Sequence, residues 1–246
     1  MIHPSEVLQR ALVAAGVARF PGQLTSDGSA MGAGAGLTCN AIGNVFTLTK
    51  VGTPTGTFTL TYTAQTTISG LRTLTTAAID HAASASDVKT ALELLGNVAP
   101  GNVVAATSNG WTITLPRPCF WSTLPFTDMN TPADAISIKH DGDTLSAMKI
   151  ANGQAYVNQK FRIMIRSTGP NTGQAQASGE AMGRAIIDAI PTILGNSVID
   201  GATTMIIGGI FLDGFTVMDI GPSPSNPQEY GHAISGTSVI TAQATA

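Results

Sequence analysis

The chain has 246 residues, of which only 11% are charged, and its net charge is −3. This length allows a large hydrophobic core, whereas non-specific nucleic-acid binding needs clustered cations, and the sequence has no such cluster. No basic and apolar leader opens the chain, and its longest apolar run, Met205 to Leu212, is much shorter than the ~20 residues of a membrane span, so we expect cytoplasmic synthesis and no membrane contact.

A helix is predicted over residues 4–18. Pro4 suits a first helical turn, where a missing N–H leaves no hydrogen bond unmade, and Glu6 favours the positive end of the helix dipole. Apolar residues recur along one side of this segment, and Gly16 and Pro21 end it. Residues 25–44 are predicted to form a loop, because glycine recurs throughout their first half.

Residues 45–115 are predicted to form a compact β-rich unit. Apolar residues alternate with threonine before and after the turn at 52–56, a period that is typical of half-buried strands. Ser84 or Ser86 can cap a short helix that ends at Gly96. A closing hairpin is predicted across the turn Ser108-Asn109-Gly110.

The C-terminal part returns to an α/β pattern. Strands are predicted over residues 135–139, 157–167, 203–212, 214–220 and 231–242. The intervening helix, residues 174–190, is predicted to stop at Pro191. Its apolar face contains Met182, Ile186 and Ile190, whereas Gly179 and Gly183 lie on another face and allow close backbone approach.

The first helix cannot bury its apolar face alone, and we expect it to pack on the sheet of residues 134–242. Residues 1–36 plus 120–246 would then form one base domain, and residues 37–119 an inserted β-rich domain containing one helix. The predicted fold class is α+β. A serial arrangement of two domains is the alternative.

Two stretches of the base domain resemble a known family. The opening, from His3-Pro4-Ser5-Glu6-Val7-Leu8 to Phe20-Pro21-Gly22, resembles the first helix of tail terminator and minor capsid (neck) proteins of long-tailed bacteriophages. The later segment resembles the rest of that family: a strand ending in Arg166, a helix rich in small residues, a strand ending near Gly209, a proline-containing loop and a final strand. The resemblance implies an antiparallel sheet flanked by two helices. It also implies a homohexameric ring that caps the tail tube and meets the head–tail connector.

The insert resembles a second module. Gly56-Thr57-Phe58-Thr59-Leu60-Thr61, then Ser84 to Leu95, then Gly101-Asn102-Val103-Val104 are similar to a β-rich domain repeated in phage structural and bacterial surface proteins. Such modules are usually displayed outward. Residues 73–78 are longer than that pattern, so it does not define the middle strand.

The motifs of common catalytic and cofactor sites are missing from the sequence. The glycine stretch has Leu37 where a dinucleotide fingerprint needs glycine. The four histidines are scattered along the chain, and Cys39 and Cys119 are far apart in the sequence. These residues therefore form neither the local nucleus of a zinc site nor a disulfide framework. The sequence has no phosphate loop and no Gly-x-Ser-x-Gly elbow. We therefore expect no cofactor, no metal and no enzymatic activity.

Candidate contacts with other subunits begin on the strand 157–167. Arg162 and Arg166 share one face of this strand and could pair with a neighbouring subunit or with Asp188. An ordinary solvated sheet face is the alternative interpretation.

Two predicted loops add further candidates for a subunit or partner interface. Asp141 and Asp143 belong to a His-Asp-Gly-Asp stretch, which favours a turn over a calcium loop. Pro222, Pro224 and Pro227 stiffen an extended loop. Both loops are expected to face the tail tube or the connector.

The leading hypothesis is a virion structural protein of the neck, assembled in the host cytoplasm. It would form a ring with copies of itself, bind the tail tube protein and a head–tail connector or stopper protein, and let DNA pass through its lumen without specific binding. The alternatives are a head decoration or tail tube subunit, or a cell-surface or glycan-binding module. The aromatic content of 5% argues against a sugar platform. A hydrolase is the least favoured reading.

Overall fold

The structure, a computed structural model, describes residues 4–66, 70–120, 134–140, 146–151, 154–195, 197–200, 203–213, 218–223 and 226–244. The helices are α1 (Pro4–Ala14), α2 (Ala85–Glu93) and α3 (Thr172–Ile193). The strands are β1 (Gly22–Asp27), β2 (Gly36–Ile42), β3 (Val45–Val51), β4 (Thr57–Thr66), β5 (Gly70–Thr75), β6 (Ile79–Asp80), β7 (Val103–Thr107), β8 (Gly110–Thr114), β9 (Cys119–Phe120), β10 (Ala135–His140), β11 (Ser146–Ala151), β12 (Gln154–Thr168), β13 (Ser197–Asp200), β14 (Thr203–Leu212), β15 (Met218–Ser223) and β16 (Asn226–Ala244). The predicted α+β class is confirmed.

The chain divides into two compact units. The base unit takes in the described residues of Met1–Val17 and Pro118–Ala246, and the inserted unit is Ala18–Thr66 with Gly70–Arg117. The sequence predicts an insert over residues 37–119, whereas the inserted unit begins at Ala18, so its first boundary differs. Residues 18–36 belong with the insert because β1 pairs with β4 along its whole length.

The base unit is built on one sheet with the order β13-β14-β16-β12-β10-β9. β12 pairs with β16 over its full length, from Gln154 opposite Gln243 to Thr168 opposite Glu229. β11 also pairs with β12, and β15 also pairs with β16. Among the described strands of this sheet, β9 and β10 run parallel and the other pairs are antiparallel.

Both helices of the base unit lie against the same face of this sheet. α3 packs on β12 and β16, and α1 packs on α3 and on strands β10, β12, β13 and β14. The apolar stripe of α1 is buried there, with Leu12 fully inaccessible. The expectation that the opening helix packs on the C-terminal sheet is confirmed.

Small residues set the distance between α3 and the sheet. The buried positions of this helix include Gly179, Gly183 and Ile186, whereas Met182 and Ile190 are only half-buried. A Cβ added at Gly179 would lie 2.2 Å from Cδ2 of His232 on β16. The predicted close approach at Gly179 is therefore present, and the small-residue side faces the sheet.

The inserted unit contains two sheets, β2-β3-β8-β7 and β1-β4-β5 with β6 beside β4. Phe58 of one sheet contacts Trp111 of the other, with ring centroids 5.1 Å apart. α2 begins at a capping box: the Ser84 side chain accepts from the Asp87 N–H, and the Asp87 carboxylate accepts from the Ser84 N–H. The Ser84 alternative for this cap is confirmed.

Two local predictions are wrong. Residues 25–44, expected to be a loop, contain the end of β1, a 3-10 turn at Ser29–Met31 and all of β2, because their strand partners lie elsewhere in the chain. The helix predicted to stop at Pro191 continues to Ile193. The amide of Leu194 still donates to the carbonyl of Ile190, so the helix continues past the proline.

Candidate interaction surface

The sheet of the base unit has a second face, opposite α1 and α3. Side chains of β12 alternate along the strand: those facing the helices are buried, and Lys160 and Arg162, which face the other way, are exposed. We call the side of the sheet that carries Lys160 and Arg162 the open face. The described part of the chain places neither helix over it.

Strand register brings three cations together on the open face. Lys139 of β10 is directly opposite Arg162 of β12, and Lys160 lies one step further along the same face of β12. Directly opposite residues on adjacent strands are ~5 Å apart, and a step of two residues covers ~7 Å. Neither Lys139 nor Lys160 forms an ion pair with any described residue. From the sequence, Arg162 and Arg166 are expected on one face of the strand, but the two lysines are not among the candidate residues.

An exposed aromatic side chain adjoins these cations. Lys160 is opposite Thr237 of β16, and Thr237 is opposite Phe211 of β14, so the three residues form one row across the sheet. Phe211 is 64% exposed, and its ring edge is 3.1 Å from where a Cβ on Gly209 would stand. The open face therefore combines positive charge with a large apolar group.

Arg166 occupies the other end of the open face. Its guanidinium forms an ion pair with Glu229 of β16, and both side chains are mostly buried. Near it, the Asp134 carboxylate accepts hydrogen bonds from the Thr168 N–H (3.0 Å) and hydroxyl (3.3 Å). Arg166 thus has an intramolecular partner, Glu229, whereas Asp188, one of the two partners considered for this arginine, lies on α3 at the other face of the sheet.

The prolines and aspartates proposed from the sequence have different outcomes. Pro222 lies exposed in β15 opposite Tyr230, and Pro227 lies in β16, so the predicted extended loop is largely a pair of antiparallel strands. Pro tolerates this position because β15 pairs with only one described strand, and an edge strand needs fewer backbone donors. Asp141, Asp143 and Pro224 lie outside the described residues.

A second polar cluster lies between α3 and the sheet, and no local motif in the sequence indicates it. His232 is 1% exposed, and neither of its ring nitrogens has a hydrogen-bond partner. Its ring lies 5.1 Å from that of Tyr230. The Ser167 hydroxyl is fully buried and donates to the Ala175 carbonyl at 2.6 Å. Because Ser167 and His232 are both inaccessible to a substrate, we interpret this cluster as helix–sheet packing.

At the edge of this cluster Tyr230 is hydrogen-bonded to Asp219. The Tyr230 hydroxyl donates to the Asp219 carboxylate. This bond lowers the pKa of Asp219 and raises the pKa of Tyr230. Asp219 is held in place as an anion by Tyr230, and its carboxylate is on the helical side of the sheet, because Tyr230 shares that face with His232.

A shallow cavity of about 500 Å³ in the inserted unit is lined by Asn44, Val45, Gly101, Val103, Thr114, Leu115, Pro116 and Arg117. The Arg117 guanidinium donates to the Asn44 side-chain oxygen at 3.1 Å, and the Asn44 amide donates to the Leu115 carbonyl at 2.7 Å. These contacts already engage the side chains of Asn44 and Arg117. Within the described ranges no cluster of three or more His, Cys, Asp or Glu could hold a metal ion.

No protein-family model, curated protein or solved structure matches this chain. Among the helices that the structure describes, none combines the length and apolarity that crossing a membrane requires. The arrangement of the base unit and the chemistry of its open face are therefore the features that bear on function.

Proposed function

We propose that this protein is a virion structural subunit that forms a closed ring at the head–tail junction of a long-tailed bacteriophage. In this role it resembles tail terminators: it caps the tail tube, stops its polymerisation and joins it to the head connector or stopper protein. The subunit acts by binding and shape rather than by catalysis. DNA passes through the lumen without specific recognition.

The observation that carries the proposal is the packing of α1. A helix at the start of the chain lies on α3 and on the sheet made by residues 135–244, and the inserted unit interrupts this body. That is the element order of the terminator resemblance, in which helix, strand, small-residue helix and further strands form one domain. The small-residue contact at Gly179 fits the same pattern.

Surface chemistry supports assembly as the role of the base unit. Only 11% of the residues are charged, so an interface between copies desolvates few ions. The open face also displays Phe211, and aromatic and arginine side chains are enriched in protein interfaces.

The inserted unit supports an outward-facing role. Its outer sheet surface carries cross-strand threonine pairs, with the hydroxyls of Thr61 and Thr75 2.9 Å apart and those of Thr63 and Thr73 3.1 Å apart. Such pairs stabilise an exposed sheet without charge. We propose that the module decorates the outside of the ring.

Native mass spectrometry and negative-stain electron microscopy of the purified full chain test this proposal. We expect a closed ring, a hexamer by the terminator resemblance. In virions, antibody labelling at the neck and quantitative mass spectrometry should give a copy number equal to one ring. Tail-tube or decoration subunits would instead be present in dozens to hundreds of copies. Monomers alone, or label absent from the neck, would refute the ring proposal.

A further inference from the structure

The charges of the base unit are separated between its two sides. Four of the twelve Lys and Arg residues of the chain lie on the open face: Lys139, Lys160, Arg162 and Arg166. Glu229 neutralises Arg166. The other three cluster within two neighbouring rows, although the chain as a whole has more acidic than basic residues.

The helical side of the base unit carries more negative than positive side chains. Glu180, Arg184 and Asp188 are spaced by four residues along α3 and form one row, with Arg184 and Asp188 exposed and Glu180 half-buried. Glu180 is near Tyr230, whose hydroxyl is bonded to the exposed Asp219. α3 and β15 therefore place three carboxylates and one guanidinium on this side, and the Glu6–Arg10 ion pair of α1 adds no net charge.

We infer that the open face of one copy docks against the helical side of the next copy. This inference rests on the proposed ring and names the two surfaces that would form it. The two surfaces are different, so the contact is heterologous, and a repeated heterologous contact closes into a ring when the rotation between copies allows it. Opposite charge fixes the orientation, because placing the basic surface against another basic surface would be repulsive.

The size and composition of the open face fit a protein partner. Four strands spaced ~4.8 Å apart and about ten residues long cover on the order of 600 Å², close to the ~800 Å² per partner of a standard interface. Phe211 supplies an apolar contact on β14, at one side of these four strands, and Lys139, Lys160 and Arg162 supply charge. A surface for the DNA backbone alone would not require an exposed aromatic residue, so the second copy is the favoured occupant.

Charge reversal tests the docking. In Lys139→Glu/Lys160→Glu both changes are at exposed positions without a described ion pair, so the fold should be retained. We expect the variant ring to dissociate, with at least a tenfold rise in the subunit dissociation constant measured by mass photometry. For the wild type, the same dissociation constant should rise with salt concentration. The control is Arg72→Glu, a charge reversal at an exposed position of the inserted unit whose side chain has no described ion pair, and it should leave the ring intact.

Phe211→Ser provides an independent variant that alters no charge. It should also weaken the ring, and circular dichroism with thermal unfolding should show that it and the charge reversal remain folded. If both variants form rings as stable as those of the wild type, the docking inference is wrong, but the proposed ring is not affected. A wild type that is monomeric at all concentrations would refute the proposed function, and the docking with it.

A fluorescent 30-base-pair duplex serves as the probe for the competing occupant. Under the docking inference, wild-type and charge-reversed chains bind it equally weakly. If the charge-reversed rings stay assembled and lose duplex binding that the wild type shows, the open face contacts DNA and the docking inference is wrong.

Discussion

Replacing Gly179 with alanine should destabilise the base unit, although alanine is the better helix former. An alanine Cβ would lie 2.2 Å from His232 Cδ2, 2.5 Å from His232 Nε2 and 2.6 Å from the Ser167 hydroxyl oxygen. Favourable contacts need about 3.5–4.0 Å, so α3 must move by more than 1 Å or the buried His232 ring must change rotamer. Neither the ring nor the hydroxyl is the free end of a flexible side chain.

The magnitude follows from two opposing terms. Overpacking of this kind costs up to ~3 kcal/mol, and the helix propensity of alanine over glycine returns ~1 kcal/mol. We expect Gly179→Ala to lower the free energy of unfolding by about 2 kcal/mol and the Tm by about 4–8 °C. Urea and thermal unfolding of the full chain measure both quantities.

Gly173→Ala is the matched control, because it makes the same substitution in the same helix. At Gly173 the nearest atom to an added Cβ is Asn171 Oδ1 at 3.6 Å, an ordinary contact. This variant should be stabilised by up to ~1 kcal/mol. If Gly179→Ala were as stable as Gly173→Ala, the close contact between α3 and β16 would not constrain the fold, and our account of this interface would be wrong.

Two further variants test the inserted unit. Tyr62→Phe removes a buried hydroxyl that donates to the Phe20 carbonyl at 2.7 Å. The Arg19 guanidinium also donates to this carbonyl, at 3.2 Å, so calorimetry should show a loss of only about 1 kcal/mol. Ser84→Ala removes the α2 cap and should cost ~1 kcal/mol in urea unfolding near pH 7. The Ser84 hydrogen bonds also lower the pKa of Asp87, so NMR titration of Ser84→Ala should show this pKa rising. A folded-state pKa below the unfolded-state pKa stabilises the fold at pH values above the unfolded-state pKa. This contribution disappears as the pH falls through the folded-state pKa. The difference in the free energy of unfolding between wild type and Ser84→Ala should therefore narrow below about pH 4.

Local patterns predicted most of the strands and the α2 cap. The alternation in 45–49 and 58–63 fixes which side chains face inward, and β3 and β4 follow it. Ser84 caps α2 because its N3 residue is Asp87, which can return a hydrogen bond; Ser86 has no such partner arrangement in the described structure. These patterns involve only residues that are close in the sequence, so a single sequence is enough to predict the strands and the cap.

Non-local pairing explains the failures. Four glycines in residues 28–36 indicate a loop, although the segments 22–27 and 36–42 on either side contain only one glycine each. They become strands because β4 and β3 offer them backbone partners, and Met31 between them is fully buried. A single sequence does not specify such partners.

The helix α3 shows a related limit. Its period is predicted correctly, but of the three residues on the predicted apolar face only Ile186 is buried, and Met182 and Ile190 are half-buried. Close packing on a sheet favours the small face instead when a bulky residue projects from the strand opposite. Here His232 fills the space that Gly179 leaves, and only the tertiary contact between them identifies which face of the helix is buried.

The open face depends on the same kind of information. The alternation in β12 places Lys160 and Arg162 on one side, which the sequence shows, but Lys139 lies about twenty residues earlier and Phe211 about fifty later. The antiparallel registers of β10, β16 and β14 bring them into adjacent rows. A chain without a basic run can therefore still have a basic surface, because strand pairing gathers charges that the linear sequence disperses. An absence of clustered cations in the sequence excludes a charged tail, but it does not exclude a charged sheet face.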